Sequence, residues 1–342
     1  MDKRFIMTSS PHVRSEDSTR SIMLDVLIAM LPALVLSVYT FGARAFMLTI
    51  VAVCSCVLFE YLYCRLIKRP QPVGDLSAAV TGVLLAYNLP VAVPIWIPVI
   101  GSFFAIVIVK QLYGGIGKNV FNPALAARVF LFLSWPVHMS NFTAPHSAMP
   151  LLSRVDAVVT ATPMGIVKAG GAISGINLMD MLLGNTGGCI GETSALALIA
   201  GGVYLVARRV ISPRIPLTYL ASVAIVSVLS PGAGLDNLTW MGLQLLGGGL
   251  MLGAIFMATD YTTSPVTIGG QYVYGIGCGL LTIFIRYFGA YSEGVSFSIL
   301  IMNALVWAID MAFKPPRYGT KRFEKIENYF KAKSKKKDGE SS

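Results

Sequence analysis

Charge is what this chain has least of. Only 13% of its 342 residues are Asp, Glu, Lys or Arg, about half the ~25% of an ordinary soluble domain. With 55% hydrophobic residues, that deficit excludes a conventional water-soluble fold. Histidine is scarcer still: His12, His138 and His146 show no partner spacing that suggests catalysis or a metal. The five cysteines (Cys54, Cys56, Cys64, Cys189, Cys278) form no CxxC pair and no ferredoxin-type run, which argues against a self-contained zinc or iron–sulfur site. Acidic residues number 17 against 27 basic ones, a net charge of +10. The basic residues sit beside apolar runs and in the tail rather than among exposed aromatics, so they point to membrane topology and lipid contact rather than nucleic acid.

What is present is a series of apolar runs, at about 22–41, 45–63, 76–91, 93–109, 123–137, 194–207, 215–230, 240–259, 267–288 and 295–313. Each is long enough, or nearly so, to cross a bilayer. The expectation is an all-α polytopic membrane protein of about ten spanning helices, some short or broken. Run 123–137 is short and opens at Asn122-Pro123, and run 76–91 ends at Asn88-Leu89-Pro90. Interrupted helices of this kind often mark where a ligand or ion sits. The first run, from Ile22, continues to full span length, so no cleavable leader is expected. With both ends inside, 22 of the 27 basic residues fall in inside segments, Lys110 and Lys118 among them. Arg44, Arg128, Arg154, Lys168 and Arg286 remain outside or within spans. That asymmetry obeys the positive-inside rule and favours an even number of spans. The chain divides into a cytoplasmic segment 1–21, a transmembrane domain 22–313 with a long extracytoplasmic loop at about 138–193, and a basic cytoplasmic tail 314–342. The tail ends near Lys335-Lys336-Lys337 and is expected to be solvated and to touch anionic headgroups.

Three loops stand out. In the long loop, Asp156 to Met164 is rich in small residues and hydroxyls, and Gly184 to Ser194 carries Gly184, Gly187, Gly188 and Gly191 before the next span. Those glycines either admit a flat or phosphorylated group or form a tight re-entrant turn, and Thr193 or Ser194 can cap the helix that follows. Between Lys110 and Pro123, Asn119 and Asn122 flank Phe121; they either hold the edge of an isoalloxazine ring or cap a broken helix. The spacing of glycines there is not that of a nucleotide-binding strand–loop–helix unit. In Ala258 to Pro265, Asp260 among hydroxyls suits a cation or a flavin edge, or simply ends a helix. Acids in or near the spans are few: Asp25, Glu60 and Asp310. Asp25 and Asp310 are candidates for an ion or proton path, whereas Glu60, one turn from Arg65, is expected to snorkel or to pair with it. No acid–base pair for catalysis and no metal-ligand set is visible.

At these residues the sequence resembles RnfD, a membrane subunit of Rnf electron transport complexes, and, more distantly, a related membrane subunit of the sodium-translocating NADH:quinone reductase. The resemblance runs from about residue 8 to 313. It is carried by Ser10 to Ser15, Arg20 to Asp25, Lys110 to Pro123, Asp156 to Met164, Gly191-Glu192-Thr193-Ser194 and Ala258 to Pro265. It implies a non-autonomous subunit of an ion-translocating ferredoxin:NAD+ oxidoreductase in the bacterial or archaeal cell membrane. Such a subunit passes electrons across the membrane and couples them to Na+ or H+ transport. It implies FMN held by a phosphoester to threonine within an Asp-x-x-Ser/Thr-Gly-Ala-Thr type motif. The matching run is Asp156 to Thr162, which makes Thr162 the expected acceptor. Val159 and Thr160 depart from the motif, and Thr160 is the alternative acceptor. The Gly191 to Ser194 loop is implied as part of the same site. Riboflavin, held without a covalent bond, is implied near Asn119, Asn122 and Asp260. Partners would include other membrane and peripheral Rnf subunits, an FMN-bearing extracytoplasmic subunit, iron–sulfur subunits and a flavin transferase. A flavin-free solute channel and a quinone-reducing subunit are the alternatives.

Overall fold

The computed structural model describes residues 18–69, 73–147, 159–169, 177–232, 234–289 and 293–314. Asp156, the Ser10 to Ser15 motif and the basic tail lie outside the described residues.

Every expected apolar run is helical. The long ones are α1 (Thr19–Phe41), α2 (Ala43–Leu66), α13 (Ile268–Phe288) and α14 (Val295–Ala312), each long and apolar enough to cross a membrane. α11 (Asn237–Leu246) and α12 (Leu250–Leu252), the latter running on to Met257, are together long and apolar enough for a broken span or a re-entrant loop, bent by 61° at the glycines between them. The remaining runs form shorter helices. These are α3 (Ser77–Tyr87), α4 (Trp96–Phe103) continuing as a π-helix over Phe104–Gln111, α5 (Pro123–Ser134), α9 (Ala195–Ala207) and α10 (Arg214–Leu229). They fall short of the ~20 residues a full span needs. The chain is a polytopic all-α membrane protein.

Local chemistry explains where the breaks fall. α1 begins at a capping box formed by Ser18 and Ser21, and Gly42, at φ 77°, lets α2 follow with one residue between. Asn122 caps α5, accepting from the amides of Ala124 and Leu125, with Pro123 in the first turn where its missing N–H costs nothing. Of the two expected caps for α9, Ser194 is the one that forms, accepting from the Ala197 amide at 3.3 Å. The long loop is not all irregular. It carries α6 (Pro136–Ser140), a two-stranded ribbon of β1 (Phe142–Thr143) and β2 (Val159–Thr160), α7 (Pro163–Lys168) and α8 (Leu178–Leu183).

Packing follows membrane rules. Large apolar side chains such as Tyr39, Leu217, Phe284 and Trp307 are exposed on the helices, while Glu60, Lys110, Arg128, Gln244 and Arg286 are buried. In a dry solvent helices associate through small residues and interhelical hydrogen bonds. Accordingly, Gly275 and Gly279 of α13 bring its backbone directly against Thr218 and Ser222 of α10. The hydroxyls of Tyr219, Thr282 and Ser298 join α10, α13 and α14, with Tyr219 to Thr282 at 2.6 Å and Thr282 to Ser298 at 2.7 Å.

Candidate functional site

A cavity of about 280 Å³ lies at the meeting of short helices and turns. Asn119, Asn122 and Asp260 all line it, although Asp260 is far from the asparagines in sequence. Lys110, Ser77 and Thr81 add polar groups, and Met23, Val80, Leu84, Ile211 and Phe256 give apolar walls. A largely apolar room with a few convergent polar groups is the usual form of a small-molecule site. The Asn122 amide is already engaged: its oxygen caps α5 and its nitrogen donates to the Met257 carbonyl at 3.2 Å. The cap is therefore the reading its side chain fulfils. Asn119 donates to the Phe121 carbonyl at 3.1 Å. Asp260 accepts from the hydroxyls of Thr262 (3.0 Å) and Thr263 (3.1 Å). Burial pushes its carboxyl up, and the two threonines pull it back.

Lys110 and Glu60 correct two expectations. Lys110 is not a loop cation: it is 3% exposed, lies on the π-helix and itself lines the cavity. Glu60 pairs not with Arg65 but with Lys110, Nζ to Oε1 at 2.7 Å, and accepts from Gln111 at 2.8 Å. Arg65 donates instead to Tyr61. The extra residue per turn of a π-helix changes the helix register, and this places Lys110 and Gln111 against α2 where a regular count does not.

Around the expected flavin acceptors, Thr162 is 5% exposed and caps α7, accepting from the Gly165 amide at 3.1 Å. Thr160 lies two residues away on β2, its hydroxyl buried without a hydrogen-bond partner. Gly187 abuts that hydroxyl, at 2.6 Å from the position of a β-carbon. The ribbon and the glycine loop are thus in direct contact. Within that loop the close approaches are to the protein itself. Gly191 lies under the Tyr87 ring, and Gly184, at φ 106°, ends α8 against the Thr193 carbonyl. Thr193 donates to Ile190, and Ser194 to Leu182.

Glu192, from the same loop, joins a charged cluster that sequence inspection does not reveal. Arg128 donates to Asn88 at 2.8 Å and to Glu293, and lies 3.5 Å from Glu192 Oε1. Cys189 lies within the same cluster, its Sγ and one oxygen of each glutamate all within 4.8 Å of one another. Burial and the neighbouring Glu293 push the Glu192 carboxyl up, and burial pushes the Cys189 thiol up. Arg286, close by, holds the carbonyls of Gln244 (2.6 Å) and Gly247 (2.7 Å) at the bend between α11 and α12. Asn88 at a broken helix end, Arg128 among the basic residues not in inside segments and Glu192 in the glycine loop are each visible in the sequence, but their meeting is not.

The two acids considered for an ion path sit elsewhere and apart. Asp25 accepts from Tyr204 at 2.9 Å and pairs with Arg208 at 3.2 Å, tying α1 to α9. Asp310 accepts from the amides of Val266 and Thr267 and from the Thr267 hydroxyl at the start of α13.

Comparison with known proteins decides the family. The model of the NQR2, RnfD, RnfE family matches residues 6–319. The chain belongs to that family. Among its relatives, the RnfD subunit of the Na+-translocating ferredoxin:NAD+ oxidoreductase complex of Acetobacterium woodii is 49% identical, over 93% of this chain and 96% of its own length. Its counterpart in the proton-translocating ferredoxin:NAD+ oxidoreductase complex of Clostridium ljungdahlii is 40% identical, over 93% and 97%. The counterpart in the ion-translocating oxidoreductase complex of Stutzerimonas stutzeri is 38% identical, over 88% and 92%. In this member of the NQR2, RnfD, RnfE family, the Arg128 cluster shares Glu192 and Cys189 with the glycine loop that meets the threonine ribbon, and the cavity is lined by other residues.

Proposed function

We propose that this chain is the flavin-carrying RnfD subunit of an ion-translocating ferredoxin:NAD+ oxidoreductase complex, with FMN esterified to Thr162 and a second, non-covalent flavin such as riboflavin in the Lys110–Asp260 cavity. The observation that carries the reading is the convergence of Asn119, Asn122 and Asp260 on one cavity of about 280 Å³, in a chain whose relatives are subunits of such complexes. The donor set fits the group. Amide and hydroxyl donors, a carboxylate and an ammonium can meet the polar edge of an isoalloxazine, and apolar walls its rings. Bound flavins supply one-electron chemistry, while the protein sets distance, dielectric and potential. Gly191, Glu192, Thr193 and Ser194 follow Gly187, which abuts the Thr160 ribbon, and on this reading they form the second wall of the covalent site. Asp156 belongs to its recognition motif. The charge asymmetry supports both termini in the cytoplasm of a cell-membrane protein, with Thr162 outside, where a flavin transferase would act. Partners are the remaining membrane and peripheral subunits, including a second FMN-bearing subunit and iron–sulfur subunits.

Ultraviolet fluorescence of the denatured protein on a gel tests the covalent part. After expression with the flavin transferase the band should fluoresce, and Thr162→Ala should abolish the signal while the protein stays in the membrane. Fluorescence that survives Thr162→Ala but not Thr160→Ala would move the acceptor by two residues. A dark wild-type band would sink the covalent reading.

A further inference from the structure

A short chain of polar groups leads out of the cavity beside Glu60. Lys110 Nζ donates to Ser77 Oγ at 2.6 Å, and Ser77 Oγ donates to Asp75 Oδ1 at 2.6 Å. Lys110 and Ser77 line the cavity and are 3% and 5% exposed. Asp75, just before α3, is half-buried and does not line it. Three ionisable or hydroxyl groups in unbroken hydrogen-bond contact, buried at one end and wet at the other, have the geometry of a proton relay. Glu60 anchors the inner end: it is fully buried, with Oε1 on Lys110 and Gln111 and Oε2 without a partner. The other ionisable groups acting on this region are Asp260 from the turn after Met257 and the thiols of Cys56 and Cys64 on α2.

We infer that Asp75, Ser77 and Lys110 form a proton relay that delivers protons from solvent to the occupant of the cavity. Lys110 Nζ gives one proton to a basic atom of that occupant. A hydronium ion in solvent protonates Asp75. The Ser77 hydroxyl turns from Asp75 to the neutral Nζ and gives it a proton as Asp75 gives one to the Ser77 oxygen. This leaves Asp75 ionised, Ser77 donating to Asp75 and Lys110 donating to Ser77, as in the structure. One proton moves inward, only N–H and O–H bonds are exchanged, and the relay carries no electron. Glu60, 2.7 Å from Nζ, stabilises the ammonium once Ser77 has restored its proton. The inference rests on the proposed cavity flavin.

The full-length chain, purified in detergent as Thr162→Ala so that acid-released flavin comes from the cavity alone, separates the two ideas. Proton uptake is followed with a pH dye in weakly buffered solution after reduction with dithionite, against a flavin-free control. Asp75→Asn should slow uptake by about 10-fold or more, as expected when a positioned proton donor is lost, with flavin content unchanged, and Ser77→Ala should slow uptake per bound flavin likewise. Ser77→Thr, which keeps the hydroxyl, should retain the parent rate. Parent-rate uptake in both the alanine and asparagine variants, with flavin retained, would overturn the relay. If Ser77→Ala sheds flavin, Asp75→Asn decides, because Asp75 lies outside the lining. Absence of acid-released flavin from the Thr162→Ala parent would remove the cavity reading itself, and the relay with it.

Discussion

The Lys110–Asp260 cavity and the Arg128 cluster are both buried, polar and built at broken helices, yet one has room and the other is filled with its own charges. Around the cavity, short helices end before they meet, and polar groups face a space with apolar walls. Around Arg128, a guanidinium, two carboxylates and an amide pack against each other, with Gly249 allowing the backbone to approach Glu192 closely. A group bound without a covalent tether needs preformed room, because its affinity comes from contact area and few polar anchors. A filled cluster can only set charge and hold helices together. Broken helices alone therefore do not identify a binding site; what fills the break does.

The largest expected effect breaks the filled region. Arg128→Met leaves Glu192 and Glu293 buried without their guanidinium, and removing one partner of a buried ion pair typically costs about 3–5 kcal/mol. Thermal unfolding in detergent should show a large loss, and an unchanged midpoint would show that the cluster is not holding α5 to its neighbours. In the open region, Asn122→Ala should be milder on stability, about 1 kcal/mol for a lost helix cap. It also frees the Met257 carbonyl and should lower non-covalent flavin content measured by acid release. Retained flavin with a lowered midpoint would confine Asn122 to capping. The smallest effect is expected at Asp25, whose pair with Arg208 is more than half exposed on the arginine side and so contributes little. Asp25→Asn should leave covalent flavin and assembly intact. As a candidate on the ion path it should lower ion uptake per electron in sealed vesicles that carry the complex. An unchanged ratio would leave Asp25 with only its contacts to Tyr204 and Arg208.

Much of the architecture is legible because each helix announces itself as an apolar run, and the bilayer makes that signal strong. The caps at Ser194 and Asn122 are legible for the same reason: a polar residue at the edge of a run has few other uses. The cavity is legible only through family resemblance, since Asn122 and Asp260 are joined by folding and not by spacing. Glu60 misleads because a regular helix puts Arg65 within reach, while its true partner arrives on a π-helix 50 residues later. Arg128 is marked only as a basic residue not in an inside segment, and nothing local points to Glu293, 165 residues away, as its partner. Long-range charge pairing is decided by which helices become neighbours, and hydropathy does not encode that.

The contact of Gly275 and Gly279 with Thr218 and Ser222 has a mechanical consequence. Only the small side chains of Thr218 and Ser222 lie between the two backbones at these points, so there is little there to repack as a cushion. Sliding or rotating α13 against α10 would drive main chain into hydroxyls at once. The pair therefore behaves as a single stiff strut, and any rearrangement that accompanies ion movement has to be taken up by parts of the bundle hinged around it.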